Sequence, residues 1–223
     1  MQALKTNNNA QVIQNTANFV QEKLQGAEAG HDWWHTLRVW NNTRLILRNQ
    51  TADVFVCELA ALLHDVADAK FHDGDEEIGP QIAQNFLEKE GVHRATISHI
   101  VQIIRNMSFK ASIEKTTFNS LEMQIVQDAD RLDAIGALGI ARAFNYGGYK
   151  NREIYNPEIA PEEHLSKETY KNSTAPTINH FYEKLLRLKD LMNTDSAKKI
   201  AEQRHAFMET FLQQFYAEWR GER

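Results

Sequence analysis

Apolar positions recur along most of this chain at three- and four-residue intervals, and that spacing predicts helices. Residues 11–25 form the first, with Val12, Ile13, Ala17, Phe19, Val20 and Leu24 on its apolar side. The stretch "GAEAGHD" at 26–32 breaks it, and Asp32 is a natural N-cap for a second helix reaching about Asn49. On that helix Trp33, Leu37, Trp40 and Leu47 make one apolar stripe. His31, His35, Arg38 and Asn42 follow the same spacing on another face. Asp53 caps the next helix, "VFVCELAALLHDVADA", which is apolar on nearly every side, with Glu58 its one charge before His64. A helix with no polar face is a buried helix.

Beyond it, "FHDGDEEIGP" reads as a loop, with Gly74, Gly79 and Pro80 as breakers. Helices follow at 81–90 and 94–107, separated by Gly91. Residues 108–120 read as a loop or lid, and a helix runs from about Leu121 to Phe144. Residues 145–176 form the longest irregular stretch, too long for an idle connection in a compact domain. Two helices close the chain, at about 177–193 and 195–219, with Asn193–Thr194–Asp195 as their turn. Only four Pro and ten Gly occur, and no strand pattern or internal repeat is visible. The expectation is an all-α fold, one domain over 1–223, with the C-terminal helices packed on a helical core.

Composition narrows the function classes. The chain has 223 residues, 42% apolar and 25% charged, with a net charge of −5. No basic stripe suits a nucleic-acid backbone, so no nucleic-acid polymer is expected as partner. No apolar run reaches the roughly 18 residues of a membrane span, and the N-terminus lacks a signal-like apolar core. The single cysteine, Cys57, excludes an intramolecular disulfide and lies in an apolar run that favours packing over reactivity. A cytoplasmic location is expected.

The chemistry concentrates where the most apolar helix ends. From His64 to Asp75 the chain places four Asp and two His within twelve residues. An ionised carboxylate at the end of a buried helix costs several kcal/mol unless something compensates it. A divalent cation does so, taking an imidazole nitrogen and a carboxylate oxygen together. His35, 29 positions before His64, and Asp130, 65 after Asp65, supply further donors. Two His and two carboxylates leave two positions of an octahedral ion for water or substrate. That set suits Mn²⁺, Fe²⁺, Ni²⁺, Co²⁺ or Mg²⁺ better than structural Zn²⁺.

The pattern His35…His64–Asp65…Asp130 resembles the H…HD…D signature of the HD-domain metal-dependent phosphohydrolases. "GHDWWHTLRVW" at 30–40, "ALLHDVADAKFH" at 61–72 and "VQDADRLDAIGALGIARAF" at 126–144 resemble the blocks of a bacterial branch of predicted HD hydrolases, some of them nucleotide pyrophosphohydrolases. The likeness extends through "YGGY" and "HFYEKLLRLKDLMNT". It implies an HD helical bundle over about 20–140 with a C-terminal helical extension over about 141–223. It further implies one or two divalent metals, Mn²⁺ foremost, with His35, His64, Asp65 and Asp130 as ligands. Asp130 fits the fourth position because a basic residue follows it and another Asp lies two positions before. Asp133 is one turn further on, and Asp128 is a candidate outer partner that holds a ligand His in its tautomer.

The same resemblance gives Asp68, four residues after His64, the role of orienting or deprotonating the attacking water; here Asp stands where many relatives have Glu. Lys70 and Arg131 become candidate phosphate contacts, with Arg38 beside them. His72 is a candidate substrate contact, and His180 opens the last shared block. Trp33, Trp34 and Trp40 suit helical packing, and Glu58 is expected to pair with a buried partner. The implied reaction is hydrolysis of a nucleotide, foremost a nucleoside triphosphate split into monophosphate and pyrophosphate. A 5′-nucleotidase or phosphodiesterase on the same site is an alternative, as is a regulatory metal- or nucleotide-binding module without turnover. The closing helices can pair two copies as a homodimer.

Overall fold

A computed structural model of the chain describes residues 2–27, 30–67, 75, 77–107, 118–162 and 173–222, with side chains from residue 8 onward. The described residues are helical or irregular, and they divide into two compact units, Met1–Asp130 and Arg131–Arg223. No helix among them is long and apolar enough to cross a membrane.

In the first unit α1 spans Gln2–Lys23, α2 Trp33–Leu47, α3 Val54–Leu63, α4 Ile78–Lys89 and α5 Arg94–Asn106. Helix α3 is the post of this unit and packs against α1, α2 and α5. Every residue from Val56 to Leu63 is buried, which is why the segment tolerates no polar face. Capping is as the sequence predicts. Asp32 accepts a hydrogen bond from the His35 amide, and Asp53 accepts from the amides of Phe55 and Val56. Gly91 takes φ +71° at the α4–α5 turn, a conformation open to glycine.

Helix α6, Leu121–Asp133, carries the unit boundary between Asp130 and Arg131. Its first part is tied to the first unit by Asn42 Nδ2, which donates to the Ala129 carbonyl, and by Gln127 Nε2, which donates to that of Met107. The single helix expected over 121–144 is in fact two. Ile135 is extended and Gly136 takes φ +77°, so α6 ends at Asp133 and α7 spans Gly136–Tyr149.

The second unit continues with irregular chain to residue 162. Its return is fixed by the Thr177 and Ile178 amides, which donate to the carbonyls of Glu153 and Ile154. The helix expected at 177–193 is a short α8, Asn179–Glu183, followed by a 3₁₀ helix, Leu185–Leu191. The long α9, Asp195–Trp219, is capped by Thr194 and packs on α7 and the 3₁₀ helix. Phe144, Phe181, Phe211 and Phe215 form the aromatic centre of this unit.

Two packing expectations change. Of the stripe Trp33, Leu37, Trp40 and Leu47, only Trp40 is buried; the face α2 buries runs through His35, Thr36, Val39, Trp40, Asn42, Thr43 and Ile46. Polar residues sit on that face because His35 and Asn42 have partners there, so hydrophobic spacing misorients the helix. Trp34 is 61% exposed and contributes no core packing. Glu58 is buried as expected, but its partner Arg44 is half-exposed and lies 3.9 Å from the Trp40 ring centroid.

Candidate metal centre

Three elements of the first unit converge on one cluster. The Asp32 cap fixes the first turn of α2 and with it His35, which is 2% exposed. His64 is the C-cap of α3 and Asp65 follows it. The helix expected to continue through His64 stops at Leu63, and His64 and Asp65 lie in the turn that follows. Asp130 arrives from α6.

The donor atoms face one another. His35 Nε2 lies 3.3 Å from His64 Nε2. Asp65 Oδ2 lies 3.5 Å from the first and 3.6 Å from the second. Asp130 Oδ1 is 3.5 Å from His35 Nε2. Ligand atoms of His35, His64 and Asp130 all fall within 4.8 Å of one another.

Tautomers follow from the partners. His64 Nδ1 is 2.8 Å from the Ala61 carbonyl, which only accepts, so Nδ1 carries the proton and the neutral ring presents its lone pair at Nε2. That lone pair points at a second imidazole nitrogen and a carboxylate oxygen. Such an arrangement is repulsive unless a proton or a cation sits among the atoms. No Lys or Arg pairs with Asp65 or Asp130 among the described residues.

The spacing fits a metal. Donors about 2.1 Å from one ion lie about 3.0 Å apart when adjacent in an octahedron and about 3.4 Å apart in a tetrahedron. The observed 3.3–3.6 Å separations need only small closure. Two imidazoles and two carboxylates are the donors a catalytic divalent ion takes. This cluster can therefore hold a divalent metal.

Burial pushes the Asp65 pKa up, but it is outweighed. His64, the His31 hydrogen bond, and the charges of His31 and His35 hold the carboxyl well below the ordinary range. Asp65 is thus anionic and ready to ligate.

His31 lies one turn before His35 in the sequence and reaches the site through a distant residue. The cap is Asp32, and His31 instead bonds across 34 positions, with Nδ1 2.6 Å from Asp65 Oδ2. No local signal marks that contact.

The remaining candidates separate. Asp133 is fully buried but pairs with Arg142, a settled ion pair. Asp128 is fully buried; for His64, the tautomer-holding role falls to Ala61 instead. Arg131 donates to the Leu191 carbonyl. Asp68, Lys70, His72 and His164 lie outside the described residues. His93 caps α5, and His99 contacts Ser120 and Glu122. His205 is buried on α9 beside Glu209. Burial pushes the Cys57 thiol up, as do the nearby carboxylates of Glu122, Asp53 and Glu58, which leaves it inert.

Comparison with known proteins agrees with this geometry. The HD domain family model matches residues 33–135, from the start of α2 past Asp130. The YpgQ protein of Bacillus subtilis is 40% identical over 198 residues, covering 88% of each chain. Its crystal structure in complex with ADP superposes with a TM-score of 0.74 at 34% identity, covering 95% of this chain and 96% of that one. An HD-superfamily hydrolase from Bacillus thuringiensis superposes with a TM-score of 0.78 at 42% identity, covering 95% and 98%. The chain belongs to the HD-domain superfamily, in its bacterial hydrolase branch. It is an HD-family metal-dependent phosphohydrolase, with an all-α HD-type bundle and additional C-terminal helices.

Proposed function

We propose that this enzyme hydrolyses nucleoside triphosphates to monophosphate and pyrophosphate, with one divalent ion, foremost Mn²⁺, held by His35, His64, Asp65 and Asp130. The observation that carries the reading is the convergence of His35, His64 and Asp130, with Asp65 Oδ2 3.5 and 3.6 Å from the two imidazole nitrogens and no Lys or Arg paired to those carboxylates among the described residues. A nucleotide is favoured because the related YpgQ protein was crystallised with ADP.

When bound, the ion supplies Lewis acidity, which makes water a better nucleophile and polarises a phosphoryl oxygen. The chain's own residues do the rest. Ala61 keeps the His64 Nε2 lone pair directed inward. The Asp32 cap holds His35 in register. Asp68 orients the attacking water and accepts its proton as the oxygen attacks the α-phosphorus. The α–β anhydride bond breaks and pyrophosphate leaves. Lys70 and Arg131 offset charge that grows on the phosphate oxygens.

The test is a nucleotide panel with Mn²⁺, with products resolved by ion chromatography. Wild type should release pyrophosphate and His64→Ala should not. Equal rates in the two proteins reject the catalytic site. Release of orthophosphate alone assigns a nucleotidase reaction, and opening of a cyclic nucleotide assigns a phosphodiesterase.

A further inference from the structure

We propose that His31 is a positioning residue for the metal centre: its Nδ1–H grips Asp65 Oδ2 and holds that oxygen against the two ligand imidazoles. The inference rests on the metal reading above and adds a residue outside the four-ligand set. Three contacts converge on the same oxygen atom. Oδ2 accepts from His31 at 2.6 Å, and it is also the oxygen 3.5 Å from His35 Nε2 and 3.6 Å from His64 Nε2. His31 therefore acts on the ligating atom itself.

The need for such a grip is physical. The terminal torsion of an Asp side chain is broad, so a carboxylate without a partner turns its oxygens freely. Asp65 also lies just past the end of α3, where no helix holds it. An ionised carboxylate only accepts, so the short contact assigns the proton to His31 Nδ1 and makes the bond charge-assisted. One such bond selects which oxygen faces the metal.

The chain builds His31 into place from both sides. Gly30 takes φ +122°, which a residue with a side chain adopts only under strain. Asp32 is locked as the α2 cap by its bond to the His35 amide. His31 is thus held between a glycine-dependent turn and a fixed cap. Its side chain is 42% exposed, so replacing it removes little packing.

The test is Mn²⁺ binding, measured by calorimetry without nucleotide. Wild type is compared with His31→Leu, which has no donor, and with His31→Asn, whose amide nitrogen can take the place of Nδ1. Loss of an outer partner weakens metal affinity about 10- to 100-fold. His31→Leu should show that loss, and His31→Asn should recover most of it. Turnover of His31→Leu should return toward wild type at saturating Mn²⁺, because the ligands themselves remain. Equal affinity in wild type and His31→Leu overturns the proposal, as does a His31→Asn protein as weak as His31→Leu. Wild type that binds no Mn²⁺ overturns the metal reading and this proposal with it, which is a separate result.

Discussion

Two groups of ionisable side chains in this protein, one fully buried and one half-buried, balance their charge by different means. In the second unit Asp133 is fully buried and has a resident cation, Arg142, which donates to both its carboxylate and its backbone carbonyl. In the first unit Asp65 and Asp130 face His35 and His64, whose two Nε2 atoms lie 3.3 Å apart. The Asp133 pair is complete and resembles a structural rivet. The His–Asp cluster has no Lys or Arg paired with its carboxylates among the described residues, and it offers the donors that a divalent ion takes.

The largest effect should come from breaking the incomplete group. Asp65→Ala removes one oxygen donor and should cost on the order of 10³-fold in hydrolysis, about 4 kcal/mol of transition-state stabilisation. Steady-state kinetics with Mn²⁺ read the loss. The same variant should lose the thermal stabilisation that Mn²⁺ confers on wild type, since only a ligand that binds the native state raises its stability. A variant as active as wild type would dissolve the contrast.

The complete group should fail in a different way. Arg142→Met removes the guanidinium that donates to the buried Asp133 carboxylate, with Arg204 remaining as a second nearby cation, and should lower unfolding free energy by about 3 kcal/mol. Urea denaturation measures it. Adding Asp133→Leu should recover much of that loss, because a buried pair replaced by apolar groups is often neutral. No comparable rescue exists at Asp65, where the function needs the charge. If the double variant is no more stable than Arg142→Met alone, the rivet reading fails.

Fixed packing in the second unit predicts smaller changes. A Cβ on Gly147 would lie 2.1 Å from Thr177 Oγ1, so Gly147→Ala should cost about 1–3 kcal/mol by overpacking. Gly148, one residue on, has nothing within 4 Å of a Cβ. Gly148→Ala should instead stabilise the helix by about 0.5–1 kcal/mol. The same denaturation experiment reads both, and equal signs would contradict the packing.

The last effect is a pH slope at His180, which vanishes near neutral pH and grows only as the solution is acidified. Burial pushes its imidazole down to about 4, and Lys184 and Arg152 act in the same direction. Between pH 6.5 and 4 the unfolded chain binds a proton that the native protein refuses. Stability from this residue is therefore full above pH 6.5 and is lost as pH falls toward 4. His180→Gln should flatten that part of the profile in thermal melts taken across the range. An unchanged slope would reject the assignment.

Much of the fold was legible because it depends on local chemistry. Asp32 and Asp53 mark helix starts by capping, and Gly91 marks a turn by its positive φ. The uniformly apolar run before His64 announced a buried post, and the four ligand candidates stood out at its end and on two other helices. Other features gave no local signal. The break at Gly136 hides inside an apolar run, where Arg204 packs against the glycine face; a Cβ there would lie 3.0 Å from that side chain. The buried face of α2 contradicts its apolar stripe because His35 and Asn42 are buried by their partners, not by hydrophobicity.

The amino-acid sequence by itself determined the helical class, the caps and the central buried helix, and it offered four donor candidates, since each follows from residue type and spacing. Tertiary structure alone decided that His35, His64 and Asp130 meet, which oxygen of Asp65 faces the imidazoles, and that His31 rather than a neighbour in sequence contacts that oxygen. Those decisions turn on contacts between groups 29 to 95 positions apart along the chain, such as His35 with His64 and with Asp130. Distance and direction between such groups are set by how helices pack, and no local pattern encodes them.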